Sequence, residues 1–164
     1  MTGNGKKFYT QNGYAGNKYD KNLSLKEIAK IVRKELKEKF PKCKFSVRTE
    51  YYSMGQSLHL SLMSGPFDAF VEEADTGRLP EIDADRVKRH LERCKETQHT
   101  QINQYYIDDD SVMSDRCKEV MKEAISIVNS YNYDDSDGMI DYFDTNFYLE
   151  PNVGKWNKGY VKKE

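Results

Sequence analysis

The chain has 164 residues, of which 37% are hydrophobic and 32% are charged. This length favours one domain with a small core, and the lack of an apolar run of about eighteen residues excludes a membrane-spanning helix. The first residues contain no apolar stretch typical of a secretory signal. The three cysteines are widely spaced, which predicts a reducing compartment rather than a disulfide framework. We therefore expect a cytoplasmic protein.

The net charge of −1 is unevenly distributed along the chain. Residues 1–50 contain 13 Lys or Arg and 5 Asp or Glu, a balance of +8, whereas residues 51–164 contain 13 and 22, a balance of −9. A basic first third is suited to contact nucleic acid, and an acidic remainder can imitate it. The alternative is internal complementarity, in which one part of a single domain attracts the other.

The N-terminal region is predicted to be a flexible arm followed by a helix. Residues 1–22 are rich in glycine and asparagine and show little periodicity, which favours an arm. Ser24 and Glu27 form the pattern of a capping box. Pro41 ends the helix near Phe40, because the residue before a proline disfavours helical torsions. The apolar residues of this helix recur every three or four positions: Leu25, Ile28, Val32 and Leu36.

Residues 44–66 are predicted to form an antiparallel hairpin. Apolar and polar residues alternate over residues 45–52 and again over residues 57–63, which is the period of a strand. Residues 53–56 form the turn. We expect the apolar face of the hairpin to pack against the preceding helix. The polar face carries Ser46, Arg48, Ser57 and His59.

The rest of the chain is predicted to alternate short helices and strands. The elements are a helical turn at 67–74, a helix capped by Asp83, a strand at 101–107, a helix capped by Ser114 and a last strand at 144–149. Residues 151–164 form a polar C-terminal tail. The pattern predicts a single α+β domain over residues 23–150, with an amphipathic helix packed on an antiparallel sheet, two further helices and a C-terminal strand.

One group of potential metal ligands lies on and after the second helix. His90 and Cys94 are one helical turn apart and His99 follows, a spacing that zinc accepts. No CxxC or HExxH motif accompanies them. The alternative, which we favour, is that His90 and Cys94 face the core beside Val87 and Leu91, where cysteine behaves as a small hydrophobic residue. We therefore expect no metal site and no cofactor.

An acidic segment suggests a second possible metal site. Its aspartates are Asp134, Asp135, Asp137, Asp141 and Asp144. A calcium loop is not matched, because Tyr133 stands at the first ligand position and Asp144 at the position of the bidentate glutamate. A looser Mg²⁺ cluster of a metal-dependent enzyme and ordinary turn chemistry both stay open. No GxSxG or GxGxxG motif is present, so no catalytic residue is predicted.

Two surfaces are candidates for binding. Arg48, Glu50, Tyr52 and His59 on the polar face of the hairpin form the predicted protein-binding surface, with the N-terminal arm assisting. The first helix offers possible nucleic-acid contacts through Lys26, Lys30, Arg33, Lys34 and Lys37. The glutamates of this helix weaken that second hypothesis, because they dilute a stripe that would follow phosphates.

Four landmarks of the first helix and hairpin carry a family resemblance: Phe40-Pro41, the F-S-V-R strand from Phe45 to Arg48, Gly55 with Ser57, and Gly65-Pro66. With these features the segment resembles the large polyvalent protein-associated domain number twenty-nine, found in large proteins of phages and conjugative elements. Residues 131–156 resemble the tail of short, free-standing members. Leu62 and Ser64 depart from the pattern, because members commonly carry tryptophan and aspartate there.

The resemblance implies a small phage or mobile-element protein from neighbourhoods rich in counter-defence factors, and it implies no catalytic residues. We therefore expect a binding protein rather than an enzyme, which inhibits a bacterial defence system in the manner of an anti-CRISPR or anti-restriction factor. Its partner would be a host or phage protein in the bacterial cytoplasm. A nucleic-acid-binding module is the first alternative, and a metal-dependent enzyme using the acidic segment is the second.

Overall fold

The structure is a computed structural model that describes residues 13–136 and 144–164. Within these residues three α-helices and a mixed sheet form one α+β domain, which confirms the predicted fold class. The helices are α1 (Leu25–Lys39), α2 (Glu81–Thr97) and α3 (Asp115–Asn129). The strands are β1 (Tyr14–Ala15), β2 (Lys44–Tyr52), β3 (Gly55–Gly65), β4 (Thr100–Gln101), β5 (Tyr133–Asp134), β6 (Tyr148–Val153) and β7 (Val161–Lys162).

α1 begins and ends at the residues that its sequence predicts. The Ser24 hydroxyl oxygen accepts a hydrogen bond from the Glu27 N–H at 3.1 Å, and the hydroxyl donates to the Glu27 carboxylate at 3.1 Å. The bond from the Glu27 N–H satisfies one of the N–H groups that a first helical turn leaves unpaired. Phe40 is the C-cap, immediately before Pro41. The buried side of the helix consists of Leu25, Ile28, Ala29, Val32 and Leu36.

β2 and β3 form the predicted antiparallel hairpin, in which Val47 lies opposite Leu60 and Arg48 lies opposite His59. Successive strand residues point to opposite faces of a sheet, so the apolar and polar pairs alternate along the hairpin. The apolar face packs against α1, and α3 packs beside α1 and against β6. The three leucines of β3, Leu58, Leu60 and Leu62, are fully buried there. The opposite face of the hairpin carries the polar residues.

The main sheet brings together strands that are distant in the sequence. Its order is β2-β3-β6-β4, and β7 pairs with β3 at Ser64 and Gly65. β6 runs parallel to β3 and β4 runs antiparallel to β6. β1 and β5 form a separate two-stranded sheet. In the described part of the chain, β2 pairs with no strand on its outer side.

Two predicted elements after the hairpin are wrong. Residues 67–74 form no helical turn; Phe70 instead bridges Met113, and the Val71 N–H donates to the Val112 carbonyl at 2.8 Å. Of residues 101–107, only the first belongs to a strand, β4. The Asn103 side chain accepts a hydrogen bond from the Tyr105 N–H at 3.0 Å. Asparagine favours such turns, and this one ends the extended backbone.

Two element boundaries are shifted from their predicted positions. α2 begins after Pro80 rather than at a cap by Asp83, because the fixed φ of proline suits a helix start and the Pro80 carbonyl accepts from the Ala84 N–H at 2.9 Å. The last predicted strand, 144–149, is displaced toward the C-terminus as β6. Thr145 and Asn146 are drawn toward the Tyr133 carbonyl, to which they donate at 2.8 and 3.0 Å.

Both ends of the described chain contact the domain. Part of the predicted arm lies outside the described residues, and its described part includes β1 and the buried side chain of Tyr19. The predicted boundary at residue 150 falls inside β6. Further on, Tyr160 is buried and its hydroxyl donates to the Phe67 carbonyl at 2.6 Å. Tyr160 therefore anchors the C-terminal residues to the segment that follows β3.

Candidate binding site

A row of charged side chains crosses the polar face of the sheet. Arg48 on β2, His59 on β3 and Glu150 on β6 are direct neighbours in the strand register. Glu50 lies on the same strand as Arg48 and on the same face, since residues two apart share a face. The sheet thus gathers four charged or titratable side chains from three strands.

His59 lies between two carboxylates. Its Nε2 is 2.7 Å from Glu50 Oε1, and its Nδ1 is 2.9 Å from Glu150 Oε2. A neutral imidazole has one N–H donor, so both contacts are hydrogen bonds only while both ring nitrogens carry a proton. The side chains of His59, Glu50 and Glu150 are 35%, 59% and 51% exposed. Solvent screens such pairs, so this cluster shapes a surface more than it stabilises the fold.

The same three residues are the group of potential metal ligands that the described residues bring together. One ligand atom from each of Glu50, His59 and Glu150 lies within 4.8 Å of the others. Imidazole and carboxylate ligands suit transition metals such as zinc. Each ring nitrogen already faces a carboxylate, so a cation would have to replace a ring proton and one of these contacts.

An open cleft of about 680 Å³ lies over this row of charges. The polar face of the sheet forms its floor, and the segments around residues 99–102 and 154–157 form its walls. Of the four predicted surface residues, Arg48, Glu50 and His59 line the cleft. The other residues that line it include Ser61, His99, Gln101, Glu150, Asn152, Lys155 and Trp156. Polar groups and one tryptophan therefore converge on a single concave surface.

Trp156 stands at the rim of the cleft and is 85% exposed. A tight turn in which Lys155 bridges Lys158 presents it. Gly154 allows the chain to enter this turn: its φ is +65°, and an added Cβ would lie 2.3 Å from the Gln98 carbonyl oxygen. Glycine adopts positive φ without steric cost, so this residue lets the turn pass close to the end of α2.

Tyr52, the fourth predicted residue, lies beside the cleft rather than in its lining. Its hydroxyl is 2.8 Å from Ser57 Oγ, and its ring flanks Gly55 together with the ring of Tyr148. Tyr51 and Met54 are also exposed at this hairpin tip. The tip therefore adds an aromatic surface next to the charged floor.

Sequence reasoning missed Glu150, Tyr148 and Trp156 as parts of this surface. The first two lie on β6, whose parallel pairing with β3 spans about ninety residues of sequence and leaves no local signal. Trp156 is the only tryptophan of the chain, a residue type enriched at binding surfaces. That enrichment was the one signal that could have drawn attention to it.

The three residues considered as zinc ligands, His90, Cys94 and His99, are not brought together among the described residues. Cys94 is buried and its Sγ is 3.6 Å from His90 Nε2, whereas His99 lies in the cleft wall. His90 is exposed, so the expectation that it faces the core is wrong. Burial raises the pKa of the Cys43 and Cys94 thiols and raises that of Cys117 to about 12. Thiols of this kind are protonated at neutral pH and are poor nucleophiles.

The acidic segment is only partly described. Asp137 and Asp141 lie outside the described residues. Asp135 is buried, and Asp144 accepts a hydrogen bond from the Tyr133 hydroxyl at 2.7 Å. Asp134 accepts from the Ser136 N–H at 3.1 Å, which is the turn chemistry expected of aspartate.

The predicted nucleic-acid contacts lie away from the cleft. They belong to α1, which packs on the opposite face of the sheet. Lys26, Lys30, Arg33, Lys34 and Lys37 are exposed in part or fully along this helix. The structure therefore separates the two predicted surfaces.

Comparison with known families identifies the family of this chain. The family described as large polyvalent protein associated domain 29 matches residues 23–132, which include α1, the hairpin, α2 and α3. The chain belongs to this family, as its landmarks predicted, and this membership associates it with phages and mobile elements. Neither the curated proteins nor the solved structures contain a match. None of the helices in the described residues has the length and apolarity needed to cross a membrane.

Proposed function

We propose that this chain is a phage or mobile-element protein that binds a component of a bacterial defence system through the cleft and its aromatic rim. The observation that supports this proposal most strongly is an open cleft with charged residues in its floor and the exposed Trp156 at its rim. Family membership supports the mobile-element context. Inhibition by binding needs a stable scaffold and a complementary face, and it needs no catalytic group.

The chemistry of the cleft suits a protein partner. Tryptophan, tyrosine and arginine are the residue types that most often dominate the binding energy of protein interfaces. Trp156, Arg48 and Tyr52 supply one of each around the cleft. The carboxylates of Glu50 and Glu150 line the cleft together with Arg48 and Lys155, so the cleft presents both signs of charge. A partner that fits this cleft would insert a protruding segment that carries charges of both signs. It would also place an apolar side chain against Trp156.

Phage plating on defended cells tests this function. We expect expression of the chain to raise the plating efficiency of a susceptible phage on cells that carry one defined restriction or CRISPR system. Trp156→Ala and Arg48→Ala should reduce that gain at least tenfold, because each removes an anchor of the cleft. Tyr105→Ala is the matched control, since Tyr105 is an exposed aromatic residue that lies outside the cleft lining.

Binding to the purified defence proteins of the responsive system completes the test. The affinity of the wild-type chain should fall about tenfold or more in the two cleft variants, which corresponds to about 1.4 kcal/mol or more. It should be unchanged in the Tyr105 control. Equal losses in all three variants, or no gain in plating with any system of a broad panel, would contradict the proposal.

A further inference from the structure

The cations of α1 occupy one flank of the helix. At 3.6 residues per turn, Lys26, Lys30, Arg33, Lys34 and Lys37 fall within an arc of about 100°. No acidic residue falls within that arc. Glu27 and Glu38 lie about 20° and about 40° beyond the Lys34 edge of that arc, and Glu35 lies about 100° beyond it. The glutamates therefore border the basic flank on one side without interrupting it, which weakens the objection that they dilute the row of cations.

Within residues 13–136 and 144–164, no ion pair neutralises the lysines of the basic flank. Among the described residues, the ion pairs of α1 are Lys18–Glu35 at 2.9 Å and Lys39–Glu123 at 2.8 Å. Both lie on the side of the helix that faces α3 and the residues that follow it. Lys26, Lys30, Lys34 and Lys37 form no ion pair within the described part of the chain. Their charge is therefore available to an anionic ligand.

The basic flank borders the outer edge of β2. The Arg33 side chain donates to the Val47 carbonyl from Nε at 3.1 Å and from Nη2 at 2.6 Å, which fixes this flank beside the edge strand. Lys42 and Lys44 are also exposed where α1 connects to β2. The positive surface thus continues past the C-terminal end of the helix.

We propose that this flank binds the phosphate backbone of a nucleic acid without sequence preference. Lys26 and Lys37 are eleven residues apart, or about 16 Å along the helix. One strand of B-form DNA carries about five phosphates over that length, which matches the five cations. This surface is distinct from the cleft and does not depend on the function proposed for it.

An anionic membrane surface fits this flank less well. A helix that lies in a membrane interface buries its apolar face among the lipids. The apolar face of α1, with Ile28, Val32 and Leu36, is already buried against the sheet and α3. The helix offers charge to an anionic ligand but has no apolar face left to insert.

Fluorescence anisotropy with labelled twenty-nucleotide duplex and single-stranded DNA tests the proposal between 50 and 200 mM salt. Five phosphate contacts predict a slope of log Kobs against log salt of about −4.5 for the duplex and about −3.5 for the single strand. Lys30→Gln/Lys34→Gln should weaken binding and reduce the duplex slope by about 2. Glutamine has nearly the same helix propensity as lysine, so circular dichroism should show an unchanged fold.

The matched control removes the same charge elsewhere. Lys88→Gln/Arg89→Gln changes two exposed cations of α2 and should leave the slope near its wild-type value. Trp156→Ala should also bind DNA normally, which separates this surface from the cleft. The proposal is overturned if both double variants lose affinity equally, if binding shows no salt dependence, or if the chain binds phosphatidylserine vesicles but neither DNA.

Discussion

Cys117 lies at the start of α3 and its side chain is fully buried. The Ser114 side chain caps this helix by accepting a hydrogen bond from the Cys117 N–H at 3.2 Å, which places the thiol beneath the first turn. Burial raises the pKa of this thiol to about 12, and nearby Asp110 adds to the effect. Burial also raises the pKa of Tyr14 to about 12 and raises that of Tyr160.

Stability should therefore fall as the pH rises above 9. A group whose pKa is higher in the folded chain than in the unfolded chain holds its proton longer when folded, so its contribution is fully present below the unfolded pKa and is lost toward the folded value. For Cys117 that window runs from about 9 to about 12. Inside this window the deeply buried Cys117 thiol lowers the free energy of unfolding by up to about 1.4 kcal/mol per pH unit.

Urea unfolding at pH 8 to 10.5 measures this dependence. We expect the free energy of unfolding of Cys117→Ala to fall less steeply with rising pH than that of the wild-type chain. At pH 8 the variant should be less stable than the wild-type chain because of the lost packing. Val120→Ala is the control, because Val120 is an equally buried residue of α3 without a titratable group. If the free energy of unfolding falls equally steeply with pH in Cys117→Ala and Val120→Ala, the pH dependence does not arise from the Cys117 thiol.

At the scale of elements, the turn between β6 and β7 depends on Gly154. A side chain at this positive φ costs about 1–2 kcal/mol, and the added Cβ would also meet backbone atoms, the Gln98 oxygen at 2.3 Å and the Tyr160 nitrogen at 2.9 Å. Backbone atoms cannot move aside to relieve such a clash, whereas the end of a flexible side chain can. Gly154→Ala should therefore lower the free energy of unfolding by more than about 2 kcal/mol.

Gly77→Ala is the matched control for that variant. Its added Cβ would approach nothing closer than Asp75 Oδ1 at 3.7 Å, so we expect a change within about 0.5 kcal/mol. Urea unfolding measures both variants. The role of Gly154 is refuted if its variant is as stable as the Gly77 variant. Since this turn presents Trp156, Gly154→Ala should also alter the fluorescence of that tryptophan.

At the scale of the whole molecule, the main sheet is complete only with the C-terminal residues. The Gly154 N–H donates to the Leu62 carbonyl at 2.8 Å, and the Tyr160 N–H donates to the Gln98 carbonyl at 2.8 Å. β7 adds its pairing with the end of β3. These bonds connect the end of the chain to both the hairpin and α2.

A chain that ends at Val153 should lose much of its stability. The truncation exposes the Phe67 ring, which stacks on Tyr160 with ring centroids 6.0 Å apart, and it leaves sheet and loop backbone groups unpaired. Urea unfolding should show that the free energy of unfolding falls by several kcal/mol, and near-ultraviolet circular dichroism should show a loss of fixed aromatic packing. Tyr160→Phe removes only the hydroxyl and should cost about 1 kcal/mol. A truncated chain as stable as the full chain would contradict this account.

The features that the sequence predicts well depend on contacts between close neighbours. Ser24 and Glu27 are three residues apart, and each hairpin strand is set by its own alternation. The family landmarks lie in this same segment and lead to the confirmed family. By contrast, β1, β4, β5 and β7 have two residues each, which is too short for any periodicity. The strand predicted at 101–107 failed because one side-chain hydrogen bond of Asn103 outweighed the strand propensity of the tyrosines that follow.

For the site, the sequence by itself determined that Arg48, Glu50 and His59 share the polar face of a hairpin, since strand periodicity is a local property. Only the tertiary structure decided that Glu150 and Trp156 join them, because the parallel pairing of β6 with β3 is a long-range choice made by burial of both strands. It also decided that the cations of α1 lie on a separate flank, since packing of the apolar stripe sets the orientation of the helix.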